Sequence, residues 1–216
     1  MKTSEKKVST DNLKSNQNRS ASLKMLLAPS FILLVLIFST TVSFAHCDTM
    51  DGPLIRDAKI ALNTNNVNYV LKWVKQENEP EIKEAFFLTM NVRKLGADAL
   101  NLADKYFFET VVRVHRSGEG VPFTGVKPSG TPIDEKILAA DKSIETGTLA
   151  PLKNLVPKEI LPELEIRFNK VLSLKDFDVN NVTEGRAYIE AYVQFFKFAE
   201  GEEEESGQKN HIYNFE

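Results

Sequence analysis

The chain has a single cysteine among its 216 residues, together with one tryptophan and three histidines. One cysteine cannot form an internal disulfide, so the fold must be held by its packed core. Residues 46–216 also contain no excess of basic residues. Six lysines and arginines and two acidic residues precede His46, whereas the whole chain has a net charge of −3. Residues 46–216 therefore carry a net charge of −7, and we expect no nucleic-acid partner.

One long apolar run is present, and it lies near the N-terminus. Residues 26–38 have the length of the apolar core of a signal peptide, and residues 1–24 are polar and rich in lysine, as the segment before such a core is. Ser43 and Ala45 supply small residues at the two positions that signal peptidase reads. The sequence therefore predicts a signal peptide over residues 1–45, cleavage after Ala45, and export to the periplasm or the cell envelope.

An uncleaved leader is the alternative. Residues 26–45 amount to about 20 residues, which is the length that a membrane span needs. Pro29 and the serines and threonines of the second half make this segment a poor span. If it stays uncleaved, it anchors the protein and is the only part that we expect to contact a membrane. Met25 is an alternative start to Met1, which would remove residues 1–24 from the protein.

Apolar residues recur at steps of three and four through the rest of the chain, which is the spacing of amphipathic helices. Gly96 lies inside the apolar stripe of the longest predicted helix, where a glycine either kinks a helix or lets another helix approach closely. We expect an all-α domain over residues 46–200, a bundle of about five to seven helices. The predicted helices cover residues 53–62, 67–76, 81–116, 133–145, 149–155, 158–174 and 182–200.

Glycine and proline concentrate between residues 117 and 132, which predicts one long irregular loop. A loop of this length inside a compact domain is more often functional than filler. Four consecutive glutamates begin at Glu202, and we expect residues 201–216 to form an acidic, disordered tail. Asn181 begins a glycosylation sequon, but its place before the last predicted helix favours helix capping.

Cleavage after Ala45 would make His46 the first residue and Cys47 the second. The α-amine, the Cys47 amide nitrogen and the Cys47 thiolate would then close two five-membered chelate rings around a metal ion. Such a donor set favours square-planar Ni(II) or Cu(II), because a strong equatorial field is needed to deprotonate the amide. Asp48 and Asp51 are candidate outer acceptors that orient the His46 imidazole.

Other fates of these residues are open. Exposed chain termini usually fray, and a free cysteine often packs as a small apolar residue. Cys47 can also form a disulfide with a second copy of the chain, so a homo-oligomer is compatible with the sequence.

His115 is the second candidate ligand, and it lies in the last turn of the long predicted helix. A histidine there can stabilise the helix dipole or bond the last carbonyls, whereas beside a His-Cys terminus it is a candidate third ligand. Glu109 and Arg113 have i,i+4 spacing, and together with Glu119 they predict a supporting ion-pair cluster. Lys127 lies in the glycine-rich loop, where it is placed to close over an anion.

Three segments resemble a bacterial family of exported proteins of unknown function. They are residues 46–53 (HCDTMDGP), 66–74 and 106–128, which carry the family's HCDT-x-DGP start and its VRxHRxGEG and TGxKP motifs. The resemblance spans residues 46–200 and implies an all-helical secreted domain without an established activity. The family's last helix often has a histidine where this chain has Lys197, so a two-histidine site that uses that position is not expected here.

The first three residues of the predicted mature chain also resemble the N-terminus of nickel superoxide dismutase, a four-helix-bundle enzyme. His46, Cys47 and Asp48 match the metal-binding hook of that enzyme. Its second cysteine and its nearby tyrosine have no counterpart, and two thiolates tune the redox couple of its nickel. The resemblance therefore implies a related metal hook and does not extend to dismutase activity.

The sequence thus supports three hypotheses of different kinds. The first is an exported helical protein that binds Ni or Cu through a processed His-Cys terminus, with a redox role open. The second is a non-enzymatic structural or interaction domain of the cell envelope. The third is a membrane-anchored protein in which His46 never gains a free amine.

Overall fold

The computed structural model describes residues 46–201, which contain seven α-helices and no β-strand. The predicted all-α bundle is therefore confirmed. The predicted signal peptide or anchor (residues 1–45) and all but the first residue of the predicted tail lie outside the described residues. Within the described part, no helix combines the length and the apolar character that a membrane span requires.

The helices are separated by short turns and by one long loop. In chain order they are α1 (Pro53–Thr64), α2 (Asn68–Leu71), α3 (Glu79–Val92), α4 (Ala97–Gly118), α5 (Glu135–Thr146), α6 (Leu161–Leu174) and α7 (Val182–Glu200). Short 3-10 turns lie at His46–Asp48, Gln76–Asn78, Arg93–Leu95 and Lys158–Ile160. A proline in the first turn begins α1, α3 and α6, where its missing N–H costs nothing. The Asn181 side chain caps α7, as expected.

The prediction of one helix over residues 81–116 was wrong. The chain leaves α3 through the 3-10 turn Arg93–Leu95 and begins α4 after Gly96. Gly96 has φ 135° and ψ 175°, a conformation that L residues with a side chain rarely adopt, so the helix ends here instead of kinking. The two helices then pack along each other, and the apolar stripe of each helix faces the core.

Two other predicted helices are shorter or absent. The helix expected at 67–76 is only α2, because Trp73 and Val74 donate to carbonyls three residues back and both turn into the core. The segment expected as a helix at 149–155 consists of turns. Pro151 lies within it and supplies no N–H for a helical hydrogen bond.

The core runs between two helix pairs, α3 with α4 and α6 with α7, and α1 and α5 pack against α4 and α7 respectively. Its largest fully buried side chains include Leu54, Phe107, Leu164 and Phe195. The buried Arg186 joins α7 to the start of α3. The Arg186 guanidinium on α7 donates to the Val74 carbonyl at 3.0 Å and pairs with Glu79 at the start of α3.

Candidate functional site

The chain before α1 lies against the bundle. We call residues 46–51 the hook. His46 and Asp48 are 7% and 4% exposed, so these residues are part of the packed structure and do not fray. The backbone of the hook pairs with the long loop, since the Lys127 N–H donates to the Asp48 carbonyl at 2.8 Å and the Met50 N–H donates to the Lys127 carbonyl at 2.9 Å.

The side chain of Asp51 fastens the same loop. Its carboxylate accepts hydrogen bonds from the Gly130 N–H at 2.8 Å and from the Ser129 hydroxyl at 2.7 Å. These two hydrogen bonds, that from Gly130 first, lower the pKa of Asp51. The Lys127 ammonium donates to the Thr124 carbonyl within the loop. Asp51 and the backbone of Lys127 therefore hold the hook and the loop together.

Gly52 makes the turn from the hook into α1 possible. A Cβ atom at this position would lie 2.2 Å from the carbonyl oxygen of His46 and 3.1 Å from that of Thr49. Its φ of −70° is open to any residue, so the requirement for glycine here is close backbone approach. The Asp-Gly-Pro sequence therefore combines a loop contact, a close approach and a helix start.

The imidazole of His46 lies between a carboxylate and an aromatic ring. Its Nε2 is 2.9 Å from Oδ2 of Asp141 on α5, and the ring stacks on Phe196 of α7 with 6.0 Å between centroids. The other oxygen of Asp141 accepts a hydrogen bond from the Tyr192 hydroxyl at 2.8 Å. In the neutral ring, a proton on Nε2 leaves the lone pair on Nδ1, the nitrogen nearer the backbone.

Asp141 was not predicted from the sequence, which assigned the acceptor role to Asp48 and Asp51. The one signal was its position on α5. Asp141 follows the buried Ala140 and stands two residues before the buried Ser143, so it borders the apolar face of its helix. A carboxylate at such an edge needs a partner, but the sequence does not show which element brings that partner.

His115 is almost completely buried, at 2% exposure, near the end of α4. Its Nδ1 is 2.8 Å from the Trp73 carbonyl oxygen, which can only accept, so Nδ1 carries a proton. Within residues 46–201 its Nε2 has no hydrogen-bond partner, and Oε1 of Glu119 lies 3.7 Å away. The side-chain hydrogen bond of His115 is therefore made to the turn after α2 and not to the last carbonyls of its own helix.

Charged side chains join the hook to the end of α4. The Arg116 guanidinium lies between two carboxylates, with Nε 3.3 Å from Oδ2 of Asp48 and one terminal nitrogen 3.0 Å from Oε2 of Glu119. Burial raises the pKa of Asp48, and the positive charge of Arg116 opposes that rise. The second oxygen of Asp48, Oδ1, is buried without a hydrogen-bond partner in the described part of the chain.

The other predicted members of this cluster lie elsewhere. Arg113 is exposed and pairs with Glu81 of α3, and Glu109 is exposed on the outer face of α4. Of the three supporting residues suggested at the end of α4 and just after it, Glu119 is the one that is linked to the hook, through Arg116.

Cys47 is partly buried and is a free thiol. Burial raises the pKa of the Cys47 thiol well above its usual value, and the negative charges of Glu119, Asp48 and Asp141 raise it further. Arg116 opposes this effect only in part. A thiol in such surroundings stays protonated at neutral pH unless a cation binds beside it.

A cleft with a volume of about 370 Å³ has Asp141, Trp73 and Tyr192 among its lining residues. The partners of both candidate histidines therefore border space that a small molecule can enter. Across residues 46–201, no group of three or more histidine, cysteine, aspartate or glutamate side chains is arranged to hold a metal ion. Side chains alone do not form a metal centre in this part of the chain.

Comparisons with known proteins identify a family without adding an activity. No curated protein and no solved structure matches the chain. The model of the family of unknown function DUF6448 matches residues 51–198. The match includes residue 51 of the hook and leaves out residues 46–50. Because this match covers more than half of the sequence, the chain belongs to the family of unknown function DUF6448.

Proposed function

We propose that the mature protein is an exported metal-binding protein whose hook holds one Ni(II) or Cu(II) ion. The observation that carries the proposal is the hydrogen bonding of its two described histidines. His46 has Nε2 on the Asp141 carboxylate, and His115 has Nδ1 on the Trp73 carbonyl. Metal-binding histidines almost always donate their second ring nitrogen to a carboxylate or a backbone carbonyl. Each ring therefore has its other nitrogen available for a metal.

The backbone supplies the donors that the side chains lack. Cleavage after Ala45 would free the α-amine of His46, which can chelate together with the Cys47 amide nitrogen and thiolate. The ring nitrogen Nδ1 of His46 belongs to the same residue as that amine. This set of nitrogens and one thiolate suits Ni(II) or Cu(II). The uncleaved chain lacks the amine, so metal binding follows export.

The charges around Cys47 favour a bound cation. Burial raises the pKa of the thiol most, the charges of Glu119, Asp48 and Asp141 raise it further, and one arginine offsets them only in part. A divalent ion would compensate these negative charges and stabilise the thiolate at neutral pH. The single thiolate is compatible with redox chemistry, with metal storage or with a metal that fixes the N-terminus.

Metal titration of protein purified from the cell envelope tests this function. We expect one Ni(II) or Cu(II) ion per chain, and loss of stoichiometric binding in Cys47→Ser and His46→Gln. The matched control is His211→Gln, which removes the third histidine of the chain and should bind the metal as the natural protein does. Stoichiometric binding that survives both hook substitutions, or no binding by the natural protein, would contradict the proposal.

A second candidate function is a non-enzymatic interaction domain. It is favoured by apolar side chains that α3, α4 and the turn between them leave exposed, namely Phe87 at 73%, Leu95 at 78% and Leu102 at 69%. Protein that carries an N-terminal His46 and remains free of metal after gentle purification would support this alternative.

A further inference from the structure

The cleft with a volume of about 370 Å³ has helices for walls and aromatic rings for a floor. Side chains of α1 line one side of the cleft and side chains of α5 line the other, and Trp73, Tyr188 and Tyr192 line the rest. Trp73 and Tyr192 are 3% and 5% exposed and meet edge to face, with 5.9 Å between their centroids. A packed aromatic floor of this kind suits the apolar part of a small molecule.

Asp57 on α1 brings a carboxylate to this cleft. The Lys72 ammonium and the Trp73 indole nitrogen both lie on its Oδ2, at 2.9 and 2.7 Å. Its Oδ1 accepts no hydrogen bond within residues 46–201, and the side chain is 18% exposed where it lines the cleft. A carboxylate oxygen can only accept, so a group that binds to Oδ1 must be a donor.

Tyr188 on α7 brings a hydroxyl group to the same cleft. One turn later on α7, the Tyr192 hydroxyl donates to Asp141 at 2.8 Å, whereas the Tyr188 hydroxyl makes no hydrogen bond among the described residues. The half-buried Tyr188 ring is held between Phe177 and Tyr192, with centroid distances of 5.4 and 6.1 Å. The position of the ring is therefore set by packing, which leaves its hydroxyl available to a ligand.

The charges around Tyr188 favour a cation in the cleft. Burial, and after it the negative charges of Asp57 and Asp141, raise the pKa of Tyr188 to about 12, and the positive charge of Arg56 opposes them. Arg56 lies at the rim, where its side chain is 58% exposed and its guanidinium is 3.9 Å from Asp141. Two carboxylates thus act on this part of the cleft against one largely hydrated guanidinium, so the potential there attracts positive charge.

We propose that the cleft binds a small organic ammonium ion. The ammonium group donates to Oδ1 of Asp57 and to the Tyr188 hydroxyl oxygen, and the apolar part of the molecule lies on the aromatic floor. An ammonium group has three N–H donors and no acceptor, which matches two acceptors in a negative potential. This site is independent of the metal hook, since Asp57 and Tyr188 are neither proposed metal donors nor hydrogen-bond partners of those donors.

Fluorescence titration of the full natural chain tests the proposal. Trp73 is the single tryptophan of the chain and lines the cleft, so its emission reports occupancy. Hexylammonium, hexanol and hexanoate serve as probes, because they share one apolar body and differ in the charge of the head group. We expect a saturable change with hexylammonium, whose dissociation constant should be at least ~10-fold lower than those of hexanol and hexanoate.

Substitution of Tyr188 and Asp57 separates the two acceptors. Tyr188→Phe removes a hydroxyl that no described residue bonds, so the fold should be unchanged and the affinity for hexylammonium should fall about 10-fold. Asp57→Asn should weaken binding at least as much. Tyr106→Phe is the matched control, because it removes an exposed tyrosine hydroxyl of α4 outside the cleft and should bind hexylammonium as the natural protein does.

Several outcomes would overturn the proposal. They are the absence of a saturable change, equal or tighter binding of hexanol or hexanoate, and equal affinities of Tyr188→Phe and the natural protein for hexylammonium. If Asp57→Asn, which takes the carboxylate away from the buried Lys72, does not fold, Tyr188→Phe still decides the matter. Natural protein that binds hexylammonium but neither nickel nor copper contradicts the metal hook and leaves this site in place.

Discussion

Asp141 links the hook to two helices through the two oxygens of one carboxylate. One oxygen contacts His46 and the other accepts the Tyr192 hydroxyl, so the imidazole is fixed in tautomer and orientation. In the proposed metal hook, this carboxylate would act as a positioning residue, because it would strengthen metal binding without touching the metal.

The first prediction concerns this carboxylate. Asp141→Asn replaces one charged oxygen by an amide group and should weaken the binding of Ni(II) about 10–100-fold, as the loss of outer-shell partners does. Competition with a chelator of known affinity measures the change. Asp134→Asn is the control, because Asp134 caps α5 and asparagine caps helices equally well. Equal affinity of Asp141→Asn and the natural protein would show that Asp141 does not position His46.

A second prediction concerns pH and the buried Arg186. Desolvation raises the pKa of Glu79, but hydrogen bonds from Lys83 and Arg186 outweigh it, so the net shift is downward. A lowered folded-state pKa stabilises the protein above the unfolded pKa, and that stabilisation is lost as the pH falls through the folded pKa. Glu79→Gln should therefore lower the free energy of unfolding by about 2 kcal/mol at neutral pH.

Urea unfolding at several pH values measures this effect. The difference between Glu79→Gln and the natural protein should shrink as the pH falls below the unfolded glutamate pKa of about 4.3 and on through the lowered folded pKa, where the natural carboxyl becomes protonated. A difference that stays constant between neutral and acidic pH would show that the charge of Glu79 is not what stabilises the pair. Glu109→Gln, at an exposed position, should change stability by less than about 0.5 kcal/mol.

Residue types could be predicted from the sequence more readily than partners. The chemistry of His46, Cys47 and His115 and their places in the chain indicate candidate ligands. The i,i+4 spacing predicts that Arg113 pairs with Glu109 on its own helix, whereas it pairs with Glu81 across the α3–α4 contact. Such pairings depend on the rotation of one helix against another, which apolar periodicity specifies only coarsely.

At the scale of elements, the extent of each helix followed from its apolar spacing wherever terminal signals agreed with it. The bounds of α7 matched because Asn181 caps its start and Gly201 adopts a left-handed conformation at its end. The break at Gly96 was missed because the apolar steps of three and four continue through it. A glycine inside such a stripe does not reveal from sequence whether its φ is helical or positive.

The third prediction concerns the turn that aims the hook at the bundle. Gly52→Ala places a methyl group against the His46 carbonyl and should cost on the order of 2 kcal/mol of stability. Amide exchange at Met50 and Lys127 should accelerate, because both N–H groups bridge the hook and the loop. Thermal unfolding and hydrogen exchange measure the two effects.

Gly118→Ala is the matched control for this substitution. Its Cβ would meet only the Lys75 side chain, at 3.7 Å, which is ordinary contact. The substitution within α4 should leave stability unchanged or slightly higher. If Gly52→Ala behaves in the same way, close approach at Gly52 does not hold the hook in place.

At the scale of the whole domain, the described helical bundle holds the segment of residues 46–51, the hook, against itself without a disulfide bond. The loop of residues 121–134 fastens that segment by backbone pairing with residues 48–50 and by the Asp51 carboxylate. A metal bound by the hook would stabilise the folded chain further, because the unfolded chain lacks the assembled site.

The fourth prediction is a dependence of stability on metal. At a free metal concentration about 100 times the dissociation constant, binding should add about 2.7 kcal/mol to the free energy of unfolding. For a domain of this size, that gain corresponds to a rise in the melting temperature of about 5–10 °C. A chelator should reverse the rise, and Cys47→Ser should not show it. An equal rise in Cys47→Ser would place the metal outside the hook.

Native mass spectrometry of untreated protein from the cell envelope tests the metal hook most directly, because one spectrum reports both the N-terminal residue and the bound metal. We predict a chain that begins at His46 and carries one Ni or Cu ion. A chain that retains residues 26–45, or one that begins at His46 without a metal ion, would contradict the proposal.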